Sequence, residues 1–372
     1  MPLKTKKKSP LIILTGILIT IGIAFISISS LAEAESGFAD KYYFIKKQLL
    51  WLSLGLLVFY FSSTVAINTI KKISSILYIS SVLLLILVLI PQIGDTALGA
   101  RRWLNFGLFG IQPSEIIKFT SIIYFSFLFS RPEKLNIKTL ILHLSLPFFL
   151  IVIQPNLSSA ILVSAITISL YYLAGGKILP LFLLCFLATG LSLILIVFSP
   201  YRNQRLKTLI SPQSSPDNSY HHNQIVYALA SGSWLGKGFG SSTQKYRFIP
   251  KISTDSILAV IGEETGFLGL ISIFFLYISL ISRLFKISQN IENQFQSLVC
   301  AGIGCWIAYQ TLINVGAIVA IIPLTGVPLP FISYGGSSLI SLLAAIGLAC
   351  NIEKHSSSLI YSDNEQKSSN SR

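Results

Sequence analysis

The chain has 372 residues, 52% hydrophobic and only 11% charged, with a mean hydropathy of +0.71. Soluble domains carry about 25% charged residues, so a soluble enzyme is excluded and a polytopic membrane protein is implied. The formal net charge of +14 is dispersed among loops rather than gathered in one domain, which argues against nucleic acid as a partner and for membrane anchoring and an anionic, lipid-borne ligand.

Lys4, Lys6, Lys7 and Lys8 precede the first apolar run, and Ala32-Glu33-Ala34 after it imitates a signal-peptidase site. At 10–31 the run exceeds the roughly 7 to 15 residues of a signal sequence, so it is expected to remain as a spanning helix. A crossing needs roughly 20 apolar residues, and such runs are expected near 10–31, 47–68, 73–91, 113–130, 138–154, 157–175, 178–198, 256–281, 296–322 and 336–352. No stretch alternates as strands do and no internal repeat is visible. The expected fold class is therefore all-α, a polytopic bundle of about ten transmembrane helices with a large extracytoplasmic loop between helices 7 and 8.

With the lysine-rich start cytoplasmic, Lys71 and Lys72, Arg131, Lys134 and Lys138, Lys177, and Arg283 and Lys286 fall on inside turns. That is the positive-inside distribution, and it makes both termini cytoplasmic. The membrane domain is expected to fill 1–354, with an outer catalytic loop at 199–256; the Ser-, Asn- and Lys-rich segment 355–372 is expected to be a disordered tail. No interval between runs is long enough to bury a separate soluble core, so chemistry belongs at the membrane surface or inside the bundle.

Arg101, Arg102, Arg202, Arg205, Lys207, Lys237, Lys245, Arg247 and Lys251 then lie outside, a basic load that a phosphate-bearing ligand would explain. Arg101 and Arg102 stand beside Trp103; guanidinium forks bind phosphate oxygens and indole favours the headgroup level, although a snorkelling pair in an aromatic belt would look the same. Gln112-Pro113-Ser114-Glu115 is a helix start. Glu115 and Lys118 are three apart on one face, which fits either an internal ion pair or a functional lysine turned to an outer cavity.

The only long polar interval, 201–264, ends in Ile249-Pro-Lys-Ile-Ser-Thr-Asp255 and then Gly262-Glu263-Glu264. Asp255 sits where a helix leaves water for lipid, so it can stay ionised beside a substrate that is half in the membrane, and it is the candidate catalytic base. Simple capping by Ser253, Thr254 or Asp255 is the alternative. Helical spacing places Glu263 nearer the Asp255 face and turns Glu264 towards another helix.

The apolar, Pro- and Gly-rich stretch 323–338 is expected to dip back against protein, where irregular backbone is tolerated. Gly336, Ser337 and Ser338 then open the last helix with free amides, either a phosphate cradle or a plain tight turn. His143 is expected to be a hydrogen-bonded packing residue. His221 and His222 lack ligand-spaced partners, and Cys185, Cys300, Cys305 and Cys350 lie in apolar runs without metal spacing. No metal ligand set is assigned.

Three stretches, Gly99 to Lys118, Tyr201 to Glu264 and Pro328 to Ser338, in this order, resemble the SEDS family of bacterial membrane proteins, the FtsW/RodA/SpoVE group. The resemblance implies a ten-helix bundle that polymerises lipid II on the outer face of the cytoplasmic membrane, beside a class B penicillin-binding protein and other divisome membrane proteins. It implies Asp255 as the essential acid, and it brings Gln244 and Lys245 into the substrate-binding set with Arg101, Arg102, Glu115, Lys118, Gly336, Ser337 and Ser338. Gly240-Ser-Ser-Thr-Gln-Lys245 resembles the form of the loop in the division branch, hence a septal location, with the elongation branch as the alternative and a lipid II flippase as the alternative of another class. No cofactor is assigned, and a divalent cation, Mg or Mn, bridging diphosphate and carboxylate is allowed. Asn156, Lys251, Ser256 and Trp234 depart from the family pattern.

Overall fold

The computed structural model describes residues 9–30, 40–97, 100–105, 107, 110–179, 181–182, 190, 197, 216–242 and 254–370. Lipid offers no partners to backbone polar groups, so apolar segments close their hydrogen bonds internally as helices. These are α1 (Pro10–Ser29), α2 (Tyr43–Thr64), α3 (Ile67–Leu87), α4 (Pro113–Phe129), α5 (Ile137–Ile153), α6 (Leu157–Leu173), α8 (Ile257–Gln289), α9 (Gln294–Ile318) and α10 (Gly336–Asn370). A further helix, α7 (Pro216–Gly232), lies in the polar interval. Among the described residues, α1, α2, α3, α8, α9 and the first part of α10 are long and apolar enough to cross a bilayer, and α5 and α6 are shorter apolar helices. The run expected at 178–198 and most of the loop at 199–256 lie outside the described residues.

Three expectations need correction. The second and third crossings start earlier than their hydropathy suggests, and only Val65 and Ala66 separate α2 from α3. Lys71 and Lys72 therefore belong to the first turns of α3, where long stems let the ammonium groups reach out of a helix; Lys71 Nζ stands 5.7 Å above the Phe295 ring. Strands are also present. β1 (Gly94–Ala97), β2 (Ala100–Asn105) and β3 (Gly110–Ile111) form an antiparallel sheet in the order β1-β2-β3. Strands this short cannot display an alternating pattern, and a bulge in β2, where Arg102 is the extra residue opposite the Asp95–Thr96 step, breaks what there is. Finally, α10 continues to Asn370 through the segment expected to be disordered; an already nucleated helix propagates at little cost.

The bundle centres on α4, buried nearly all round against α3, α6, α9 and α10. Apolar side chains such as Leu142, Phe149, Phe275 and Ile278 face outward, as expected where lipid is the solvent. Helix association there rests on close packing and internal polar bonds rather than on expelling water. One end of the molecule gathers the β-sheet, the starts of α4, α6, α8 and α10, and the connection from α9 to α10. The opposite end joins α1, α8 and α10, where Glu353 accepts hydrogen bonds from both Ser9 and Arg283.

The α9–α10 connection does dip back into the bundle. Val327, Leu329, Phe331 and Ile332 are buried, and Gly22, midway along α1, packs directly on the Ile332 backbone. Irregular backbone at that depth must find hydrogen-bond donors from its neighbours. Four of its carbonyls do: Thr325 from the Ser158 hydroxyl, Val327 from the Asn314 amide, Pro328 from the Gln310 amide and Pro330 from the Tyr277 hydroxyl.

Candidate functional site

Asp255 stands one residue ahead of the N-cap of α8, Ser256, and is half-buried. Its Oδ1 accepts the Thr254 hydroxyl at 2.7 Å. Among the described residues it accepts no backbone amide and forms no ion pair, so capping does not account for it. Its Oδ2 faces the re-entrant segment: a methyl group added at Gly326 would stand 3.7 Å from that oxygen. Gly326 has φ +69, a left-handed conformation that glycine adopts without steric penalty, so the backbone approaches the carboxylate bare.

The wall beneath is built by α9. Gln310 and Asn314 are four apart and therefore share one face. Asn314 Nδ2 donates to the carbonyls of Asp255 at 3.1 Å and Val327 at 2.8 Å. Gln310 Nε2 donates to the Pro328 carbonyl at 2.9 Å, while its Oε1 accepts Lys118 Nζ at 2.9 Å and Trp306 Nε1 at 2.7 Å. Lys118 is fully buried and also pairs with Glu115 at 2.7 Å, with its ammonium 5.3 Å from the centre of the Trp306 ring. Glu115 and Lys118 thus form the internal pair rather than a lysine open to a cavity, yet the wall they brace is the one that carries Asp255. Gln310 and Asn314 escaped the sequence reading. Their signal was two amides at helical spacing inside an otherwise apolar span.

The remaining candidates serve neighbouring joints. Arg101 and Arg102 do not act as one fork, because Arg102, the extra residue of the β2 bulge, is already engaged elsewhere. Arg102 clamps the turn from α5 to α6 through the Gln154 and Pro155 carbonyls. Arg101 has no hydrogen bond or ion pair among the described residues. Ser337 Oγ accepts the Gln112 amide at 3.0 Å and donates to the Gly110 carbonyl. Gly336 has the Trp51 ring against it, 2.2 Å from any added Cβ, and Ser337 and Ser338 are buried. The start of α10 therefore anchors the sheet to α2 and does not stand open as a phosphate cradle. Gln244 and Lys245 lie outside the described residues. Asn156 caps α6 through Ser159 and reaches Ser114 at 3.2 Å, duties for which no charge is needed.

Glu263 and Glu264 are both buried and hold one loop. Glu263 pairs with Lys237 at 2.7 Å and accepts the Ser242 hydroxyl, while Glu264 accepts the Gly240 and Ser242 amides. The loop enters a break in α8 at Gly266 (φ 66, ψ −166). Carbonyls of Glu263 and Glu264 accept the Lys237 and Gly238 amides, and the Phe267 and Leu268 amides donate to Ser233 and Trp234. Glu263 is engaged in this clasp.

A carboxylate at the head of a spanning helix, one oxygen turned to a buried re-entrant segment and a polar wall behind it, defines a polytopic helical membrane protein with a site at one end of its bundle. A family model described as cell cycle protein, for FtsW, RodA and SpoVE, matches residues 9–358, and the chain belongs to that family. It is 33% identical over 352 residues to the probable peptidoglycan glycosyltransferase FtsW of Coxiella burnetii, covering 92% of this chain and 95% of that one. It is 34% identical over 363 residues to the stage V sporulation protein E of Bacillus subtilis, covering 95% and 99%. The fold matches, with TM-score 0.76 and 24% identity over 94% of this chain and 98% of the other, a chain solved in work on the structural coordination of polymerization and crosslinking by a peptidoglycan synthase complex.

Proposed function

We propose that this protein is a peptidoglycan glycosyltransferase that polymerises lipid II into glycan strands at the outer face of the bacterial cytoplasmic membrane, in cell division. The observation that supports this best is the freedom of Asp255. Its carboxylate is half-buried and neither caps a helix nor pairs with a cation among the described residues, in a chain a third identical to a relative named for that activity.

The acceptor's GlcNAc 4-hydroxyl attacks the donor's MurNAc anomeric carbon. The new glycosidic bond forms as the bond to the polyprenyl diphosphate breaks, and the hydroxyl proton passes to Asp255. A positioned base contributes about 10² to 10⁴ in rate. The diphosphate leaves with added negative charge, which cations already in place stabilise selectively. Arg101 suits that task better than Arg102 or Lys118, both already engaged. Among the described residues no three His, Cys, Asp or Glu side chains gather as a metal cage, and no step is routed through a metal ion.

A class B penicillin-binding protein is the proposed partner, with other division membrane proteins, since the structurally similar chain is part of a synthase complex that coordinates polymerization with crosslinking. The termini are assigned to the cytoplasm and the site end to the outside. The test is Asp255→Asn, which keeps shape and hydrogen bonding but removes basicity. Purified with lipid II, it should lose at least about a hundredfold in polymerisation rate; a wild-type rate would refute the base assignment.

A further inference from the structure

Asp255 needs a fixed position, and the backbone that carries it ends one residue before a helix begins. The residues that hold the re-entrant segment are not equivalent in this respect. Ser158, Gln310 and Tyr277 each secure one carbonyl of that segment. Asn314 also secures the Asp255 carbonyl, through the same Nδ2.

The two hydrogens of one amide nitrogen diverge at a set angle, so a single NH2 group donating to two carbonyls fixes how far apart they lie. One of those carbonyls belongs to the residue bearing the carboxylate. The other belongs to Val327, next to Gly326, which faces Oδ2. The Asn314 amide therefore sets the width of the gap between the carboxylate and the re-entrant backbone. Turning the amide over would aim its oxygen at two carbonyl oxygens, so the orientation is dictated by its partners.

Asn314 is 2% exposed, so the two bonds from its amide nitrogen are shielded from competing water and hold their geometry.

We infer that Asn314 is a positioning residue for the glycosyl transfer, holding the Asp255 turn and the Gly326–Pro328 backbone at the separation in which the carboxylate meets the acceptor hydroxyl. The inference rests on the reading of Asp255 as base. A reacting group displaced by about 1 Å can lose about a hundredfold in rate while substrate binding elsewhere is intact. The effect belongs in kcat and not in KM.

The experiment compares Asn314→Ala, Asn314→Ser and Asp255→Asn with the wild type, all purified full-length, by polymerisation of lipid II and by thermal unfolding. Asn314→Ala is expected to lower kcat about a hundredfold with KM within about twofold. Asn314→Ser keeps one donor and should fall between Ala and wild type; it also supplies the measurement if the Ala variant does not fold. A residue with a structural role alone would lower the unfolding temperature but leave kcat per folded molecule unchanged. Wild-type kcat in the Asn314 variants, with Asp255→Asn inactive, would overturn this inference and leave the base assignment standing. Wild-type kcat in Asp255→Asn would overturn both.

Discussion

At the scale of single residues, the ion pair of Glu115 and Lys118 shows how much of the site is support. Both side chains are buried inside α4, 2.7 Å apart. Removing one member of a buried pair leaves an uncompensated charge and costs about 3–5 kcal/mol, whereas replacing both with neutral groups of similar volume is often tolerated. Lys118→Met alone should therefore reduce the folded, extractable protein sharply, and Glu115→Gln with Lys118→Met should restore it. The sizes of a monodisperse fraction and of an unfolding transition for the two variants check this. Loss of polymerisation in the well-folded double variant would give Lys118 a direct part in the reaction. Sequence spacing already placed these two on one face, because i and i+3 is a local relation. Arg101 and Arg102 looked alike for the converse reason: nothing in the sequence revealed that Arg102 would meet the distant carbonyls of Gln154 and Pro155. Gln310 and Asn314 were hidden by their partners, which are backbone carbonyls of a distant segment and leave no mark in the sequence.

At the scale of elements, most helices were legible as apolar runs and their ends were not. Lys46, Lys47, Lys71 and Lys72 lie within α2 and α3, since a lysine stem lets a helix continue past its charge. The break in α8 was beyond reach because it exists only where another segment supplies its hydrogen bonds. Thr265-Gly266 reads as an ordinary step in a long helix, yet Gly266 takes φ 66 and ψ −166, a region essentially confined to glycine and worth of order 1–3 kcal/mol in strain for any other residue. An added Cβ there would also lie 2.3 Å from the Gly236 amide nitrogen. Gly266→Ala should expel the 233–242 loop, lower the unfolding temperature, and expose that loop to protease. Gly16→Ala, where nothing lies within 4 Å of the added Cβ, should change neither. An unaltered proteolysis pattern in Gly266→Ala would mean that the loop is held by Glu263 and Glu264 alone.

At the scale of the whole molecule, the arrangement of helix ends turns a chemical proposal into a topological one. Asp255, the re-entrant segment, the sheet and the starts of α4, α6, α8 and α10 share one end, and Ser9, Arg283 and Glu353 share the other. A lipid-linked donor keeps its chain in the bilayer and offers its sugars at one surface, so polymerisation outside requires the first of these ends to face out. The α4–α5 connection at the second end holds Arg131 and Lys134, and Lys138 follows in the first turn of α5, as expected for a cytoplasmic face. Single cysteines test the assignment without reference to activity. Gln92 is exposed beside the sheet, and Lys134 is exposed in the turn between α4 and α5. In intact cells a membrane-impermeant maleimide should label Gln92→Cys and spare Lys134→Cys until the membrane is opened. Cys300 and Cys305 are buried and Cys350 is partly buried, so the protein without an added cysteine sets the background. The reverse labelling would put Asp255 on the cytoplasmic side, where strands made from lipid II would have no route to the wall, and the proposed reaction would have to be abandoned whatever the Asp255 variants did in detergent.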